Sequence, residues 1–319
     1  VTVLVVIEHD RGALADASLE AMAAARSLGM GEVHALTLGS CADGLASTLA
    51  EHGAAVVHQV DHDLLSDYGP EAWGDAVAQI VVVLAPSAVL ATGTDRGNEV
   101  MAHVAAILDL PMVANCLEIE PGDTWTITRV RWGGSLLESC ELQASTPLLT
   151  VAHHAVEASE SAGTGSVQRH LIELEPTLAR TVVTERVERQ AGVTLATAPV
   201  VIGGGRGVGS ADAFAPLEEL AALLGGVVGC SRAVTNNGWR NHTDQVGQTG
   251  TRIAPDLYFA CGISGAIQHW VGAMASKKIL AINTDPEANM VTKADYAVIG
   301  DLHQIVPAIS AEIRRRRGA

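Results

Sequence analysis

Pro199-Val200-Val201-Ile202-Gly203-Gly204-Gly205-Arg206-Gly207-Val208-Gly209-Ser210 is an aliphatic run that breaks into glycines, and a helical pattern follows from about Ala211 to Leu224. Strand, glycine loop and helix in that order open a doubly wound α/β unit. Glycines let backbone N–H groups approach a phosphate, and a helix N-terminus beyond them favours negative charge. Arg206 adds a planar fork of donors suited to a diphosphate. No register gives GxGxxG, and a Walker loop needs Lys where Gly209 or Ser210 stands. The plain alternative is a tight strand-to-helix turn that binds nothing.

The alternation continues outward from this stretch. Gly226 to Ser231, Leu257 to Ala260, Lys278 to Ile282 and Tyr296 to Gly300 read as the strands that follow. Upstream, Val1 to Ile7, Val33 to Leu38, Ala55 to Val60 and Ala88 to Ala91 read as strands. Helices from Ala13 to Leu28, Ala42 to His52, Pro70 to Leu84 and Asn98 to Leu108 alternate with them. Beyond Pro111, Met112 to Ile119, Thr124 to Arg131, Ser135 to Ala144 and Leu148 to Ala152 read as antiparallel additions to that first sheet, and His170 to Glu175 as a further strand. A polar stretch ending in small residues places a junction near Ala191. The expected architecture is α/β in two domains. Residues 1–190 form a mixed, nucleotide-hydrolase-like sheet, and residues 191–319 a doubly wound parallel sheet.

Of 319 residues, 48% are hydrophobic and only 3% aromatic, an aliphatic mix suited to buried parallel strands. A net charge of −16 argues against nucleic acid as the main partner, since phosphate backbones require a basic surface. Arg314 to Arg317 oppose that trend and read as a solvated helix end. Five cysteines without a CxxC pair fit a reducing compartment, cytoplasmic or matrix-like, and lack the spacing of zinc or iron–sulfur sites. No metal is expected: His58 and His62 fall across a strand end, and His153 and His154 read as another. No apolar run approaches membrane-spanning length, so a soluble protein is expected.

Two further segments combine glycine with polar side chains. Ser231-Arg232-Ala233 ends a strand, where doubly wound sheets bind ligands, though a surface Arg in an ion pair is the bland reading of Arg232. In Gln245 to Gly250 (QVGQTG) and Gly262 to His269 (GISGAIQH), Gln248, Thr249, Ser264, Gln268 and His269 supply donors suited to a polar ring bearing carbonyls. Ser264 is placed to cap the helix that follows. With GGGRGVGS at 203–210, SRA at 231–233, INTDP at 282–286 and ADY at 294–296, the chain resembles the α subunit of electron-transfer flavoproteins, the FixB family. VIEHD near the start and RWGGSLLESCELQ agree more loosely.

The resemblance implies FAD in the C-terminal domain, lined by Arg206, Ser231, Arg232, Val246, Gly247, Gln248, Thr249, Ser264, Gly265, Ala266, Ile267, Gln268 and His269. Asn283 and Asp301 match further contacts, the latter near the adenosine end. It also implies a β subunit carrying AMP or a second FAD, with the N-terminal domain forming the interface. Flavin-dependent dehydrogenases are the implied donors and a quinone-linked oxidoreductase the acceptor. His269 is assigned to the N1–O2 edge of the ring, as a cation or donor that stabilises its reduced form, with Arg232 stacked nearby. Gln248 and Thr249 are assigned to the N5–O4 edge. No catalytic acid, base or nucleophile is required. The sequence departs from the family pattern at Thr251, Asn236 and Thr284, which alters charge around the ring. Three other readings stay open: an electron-bifurcating subunit, a nucleotide-binding regulator without redox activity, and an NAD-dependent dehydrogenase.

Overall fold

The computed structural model describes residues 1–132, 136–184 and 193–318. The chain forms two compact units, Val1–Glu188 and Arg189–Ala319. The junction expected near Ala191 lies outside the described residues, as do Gly133, Gly134 and Ser135 of the RWGGSLLESCELQ segment.

In the first unit, β1 (Thr2–Val6) leads to a short antiparallel pair, β2 (His9–Asp10) and β3 (Ala13–Leu14), and then to α1 (Asp16–Ser27). The helix thus starts later than its apolar pattern. Next come β4 (Glu32–Leu38), a 3-10 turn over Ser40–Leu45, α2 (Ala46–Glu51), β5 (Ala54–Val60), α3 (Pro70–Leu84), β6 (Ala88–Thr92) and α4 (Asp95–Leu108). Pro70 opens α3 at a position where its missing N–H costs nothing, and Ala85 closes the helix in the left-handed region. Thr94 caps α4, accepting from Gly97 N–H. β7 (Met112–Glu120), β8 (Trp125–Arg131), β9 (Leu136–Leu142), β10 (Leu148–Val151) and β11 (Ser166–His170) complete a nine-stranded sheet of order β11-β5-β4-β1-β6-β10-β7-β8-β9.

Two expectations are corrected here. β7 runs parallel to the sheet rather than antiparallel to it, and β10 is not an antiparallel addition either: it lies parallel between β6 and β7, with Leu148 opposite both Val89 and Met112. Its four residues are all buried, so a central place removes them from water on both faces. The last strand spans Ser166–His170 rather than His170 to Glu175. Its largely exposed residues sit at the sheet edge, held by pairing to β5. β8 and β9 are antiparallel as expected.

In the second unit, β12 (Val200–Gly204), α5 (Ala215–Leu224), β13 (Val227–Cys230), α6 (Arg232–Asn236), β14 (Leu257–Cys261), α7 (Ile267–Ala273), β15 (Ile279–Asn283), α8 (Asn289–Lys293), β16 (Tyr296–Ile299) and α9 (Leu302–Arg317) follow one another. The sheet is parallel throughout, in the order β13-β12-β14-β15-β16. α5 starts four residues later than its pattern, after a 3-10 turn over Asp212–Phe214. Phe214, Leu217, Leu220 and Val306 fill the core on one face, and Tyr258, Ile253 and Met290 on the other. The order of strand addition reverses at β12, with β13 on one side and β14 on the other, the switch point where such sheets bind ligands at their carboxyl ends.

Candidate functional site

At that switch point the structure opens a cleft of about 480 Å³. Four strand ends contribute to it. Arg206 and Gly207 follow β12, Ser231 and Arg232 follow β13, Ser264 to His269 follow β14, and Asn283 and Asp285 follow β15. Arg206 and Arg232 are exposed cations on one cleft, a setting that favours an anionic ligand.

The glycine loop is shaped by the protein itself. Gly205 N–H donates to Cys261 O at 2.8 Å and Gly207 N–H to Gly262 O at 3.1 Å. A Cβ on Gly205 would stand 2.1 Å from the Gly262 oxygen. These glycines therefore let two strand-end loops touch, and both N–H groups are engaged there rather than turned to a phosphate. Arg206 supplies the side chain with which the loop faces the cleft.

The turn after β14 is held from beneath. Asn283 Nδ2 donates to Ile263 O at 3.0 Å, while its Oδ1 accepts from Asp285 N–H at 3.1 Å. Asn283 thus shapes the floor of the cleft. Ser264 does not cap α7: the cap position is Ala266, without a side-chain hydrogen bond, and Ser264 O instead accepts from Met290 N–H. The cap carbonyl of Ala266 accepts from both His269 N–H, at 2.9 Å, and Trp270 N–H, at 3.0 Å.

His269 is the most constrained side chain in the site. It is 6% exposed, and its Nε2 lies 2.8 Å from the Tyr258 hydroxyl, itself fully buried. Nδ1 is buried as well. Burial drives the imidazole pKa down to about 4, opposed by the Val246 carbonyl, so the ring is neutral near pH 7. A neutral ring is at odds with the cation expected at this position. Gly203 is required beside this pair, since a Cβ there would meet the Tyr258 oxygen at 2.2 Å.

Arg206, Ser231, Arg232, Ser264, Gly265, Ala266, Gln268, His269 and Asn283 all line the cleft. Val246, Gly247, Gln248, Thr249, Ile267 and Asp301 stand outside that lining. Val246 is buried in the core, and Gly247, at φ 145°, packs backbone to backbone on Gly272 of α7. Gln248 N–H donates to Gln268 O at 2.7 Å, tying its segment to the helix start. Asp301 caps α9 by accepting from His303 N–H. Sequence reasoning assigned no role to Gln245, which is 1% exposed, accepts from Thr235 at 2.8 Å and donates to Thr249 at 2.9 Å. Asn236, Asp285 and Ala288 are further lining residues. Asn236 lies four residues beyond Arg232 on α6, a helical spacing that carries the signal; the burial of Gln245 has no counterpart in the sequence.

Comparison with known proteins decides what this cleft belongs to. The electron transfer flavoprotein domain matches residues 3–175, and the electron transfer flavoprotein FAD-binding domain matches residues 194–274. The chain belongs to the electron transfer flavoprotein α-subunit family. The α subunit of Bacillus subtilis is 34% identical over 98% of this chain and 97% of its own. That of Mycobacterium leprae is 36% identical over 99% of both, and Protein FixB of Clostridium saccharobutylicum is 35% identical over 98% and 96%. The cleft thus opens in the unit that carries the family's FAD-binding domain, and the role the family supports is electron transfer. Its donor set fits such a group: two arginines for a diphosphate, and a buried imidazole in the lining of the same cleft. Among the described residues, no helix is long and apolar enough to cross a membrane.

Proposed function

We propose that this chain is the α subunit of a heterodimeric electron carrier that holds FAD in the second unit's cleft. It takes electrons one at a time from a flavin-dependent dehydrogenase, of the acyl-CoA or N-methyl amine type, and passes them to a quinone-linked oxidoreductase. The partner is a β subunit bearing AMP, with the first unit supplying the α-side surface. A cytoplasmic setting fits the bacterial relatives. FAD, when bound, supplies the one-electron redox chemistry, and the chain needs no catalytic acid or base of its own.

The observation that carries this reading is the pairing of exposed arginines with a neutral buried imidazole on one cleft. Arg206 and Arg232 attract and orient the anionic parts of the cofactor. The Tyr258 hydroxyl, donating to His269 Nε2, leaves the imidazole proton on the buried Nδ1, on the side of the ring that the Val246 carbonyl opposes. A fixed neutral donor in a desolvated wall favours negative charge developing beside it, without the cost of burying a cation. Gln245 holds Thr249, and Asn283 holds the turn at Ile263, so the wall is positioned before anything binds.

Redox titration of the purified heterodimer tests this. His269→Ala lowers the potential of bound FAD more than it weakens FAD retention, and Tyr258→Phe, which frees the tautomer, has a smaller effect in the same direction. Equal potentials in wild type and His269→Ala would remove the assigned role. Two FAD per heterodimer would move the reading to an electron-bifurcating subunit.

A further inference from the structure

Far from the cleft in sequence, Glu20 of α1 meets the two histidines that follow β10. Glu20 is 9% exposed. Its Oε2 accepts from His154 N–H at 2.8 Å, its Oε1 lies 3.1 Å from His154 Nδ1, and His153 Nδ1 lies 3.8 Å from Oε2. One ligand atom from each residue falls within 4.8 Å of the others.

Adjacent residues of an extended strand point to opposite faces. His153 and His154 do not, because His154 adopts φ 61°, and their ring centroids stand 3.9 Å apart. A left-handed conformation is strained for a residue with a side chain, and His154 Nε2 is buried without a hydrogen-bond partner. Both features cost stability. A purely structural anchor for Glu20 would need neither, since a single imidazole or hydroxyl would serve. Among the described residues, the ionisable side chains paired with Glu20 are these two imidazoles. In their neutral form they do not offset the charge of a buried carboxylate, and buried charges are paired or coordinate metals.

We propose that Glu20, His153 and His154 form a binding site for a divalent cation of the Zn²⁺ type. Zinc bonds of about 2.0–2.1 Å place tetrahedral ligands roughly 3.3 Å apart. The two nitrogen–oxygen separations, 3.1 and 3.8 Å, bracket that spacing. The cation replaces the proton between His154 and Glu20, and that proton leaves to solvent. Side-chain exposures of 28% for His153 and 19% for His154 leave room for a water as fourth ligand. The site links α1 to the end of β10, two elements that pack together in the first unit.

The test uses the full-length protein with its cofactor and partner, stripped with a chelator and dialysed. Titration with Co²⁺ should give the visible bands of a tetrahedral site, and Zn²⁺ should compete them away at one ion per chain. Glu20→Gln and His153→Ala should each weaken binding at least ten-fold, and His153→Cys, which keeps a zinc ligand, should restore it. His303→Ala, at an exposed position, should leave binding unchanged. His153→Ala keeps the Glu20–His154 hydrogen bonds, so its fold, checked by circular dichroism and FAD content, survives. The absence of stoichiometric binding, or undiminished binding in folded His153→Ala, overturns the proposal.

Discussion

The two units place different things at the same point of the same architecture. In each, the first parallel strand lies between neighbours that lead away on opposite sides, and its carboxyl end marks a switch point. In the first unit that end is filled. Glu8 accepts from Thr94 and, at 2.7 Å, from Thr92, while the Arg96 guanidinium stacks 4.8 Å from the Tyr68 ring centre. About 10 Å³ remains open there. In the second unit Gly205 and Gly207 stand after the strand, no side chain among the described residues fills the space, and about 480 Å³ remains. A doubly wound sheet offers a place for a ligand, and the side chains after its strands decide whether the place is used.

The strongest way to break the contrast is Gly205→Ala. Its Cβ would overlap the Gly262 backbone, which cannot swing aside as a side chain can. We expect FAD to be lost and thermal stability to fall by about 3 kcal/mol. Gly225→Ala, at φ 66° with open space around it, should cost about 1 kcal/mol and leave FAD bound. Next comes Arg206→Ala, which removes an exposed cation from the cleft. FAD binding should weaken by about 1.5–3 kcal/mol, the range for hydrogen bonds to charged groups, with unfolding of the FAD-free protein unchanged. Fluorescence titration measures the first quantity and denaturant unfolding the second. The mirror experiment is Glu8→Ala. It should cost about 1 kcal/mol of stability, because Thr92 and Thr94 lie 2.9 Å apart and can still pair, and it should leave FAD affinity unchanged.

A last test is graded by pH and compares one buried histidine from each unit. His58 lies between His34, at 2.9 Å, and His170, at 2.8 Å, and burial, aided by repulsion from those two rings, lowers its pKa to about 4. His269 falls to the same value. A base whose pKa is depressed by folding takes up more protons when unfolded. Each thus contributes stability that is intact above about pH 6.5 and declines toward pH 4, by about 1.4 kcal/mol per pH unit at the steepest. Hydrogen exchange at pH 5 against pH 7 should show β4, β5 and β11 losing protection whether or not FAD is present. Protection around β14 and α7 should be rescued by FAD. Equal rescue in both units would contradict a cleft confined to the second.

The same contrast explains what could be read in advance. Aliphatic runs such as Val200 to Ile202 and Leu257 to Ala260 mark buried parallel strands directly. The cleft lining was legible because its residues cluster in short glycine-bearing segments at strand ends. Pairing partners were not. Leu148–Val151 carries the mark of a central strand, a run without alternation, yet nothing local names β6 and β7 as its neighbours. Ser166–His170 has no apolar signal, because an edge strand is held by backbone bonds that no side chain announces. His62, noted for its spacing to His58, serves instead to accept from Leu64 N–H in a tight turn. The neutrality of His269 also escaped, since it follows from Tyr258 and the burial around it.

The late arrival of β10 has a consequence for synthesis. Its slot lies between β6, complete by residue 92, and β7, which starts at residue 112, but the strand that fills it ends at residue 151. While the chain leaves the ribosome, β6 waits with one edge unpaired, and β7 to β9 form a separate antiparallel module. β11 must then travel to the opposite edge to meet β5. Two long-range closures therefore come last in building the first sheet, a topology that folds slowly and leaves strand edges open in the nascent chain. The second sheet defers nothing comparable: once β14 is made, β15 and β16 each add beside the strand synthesised just before them.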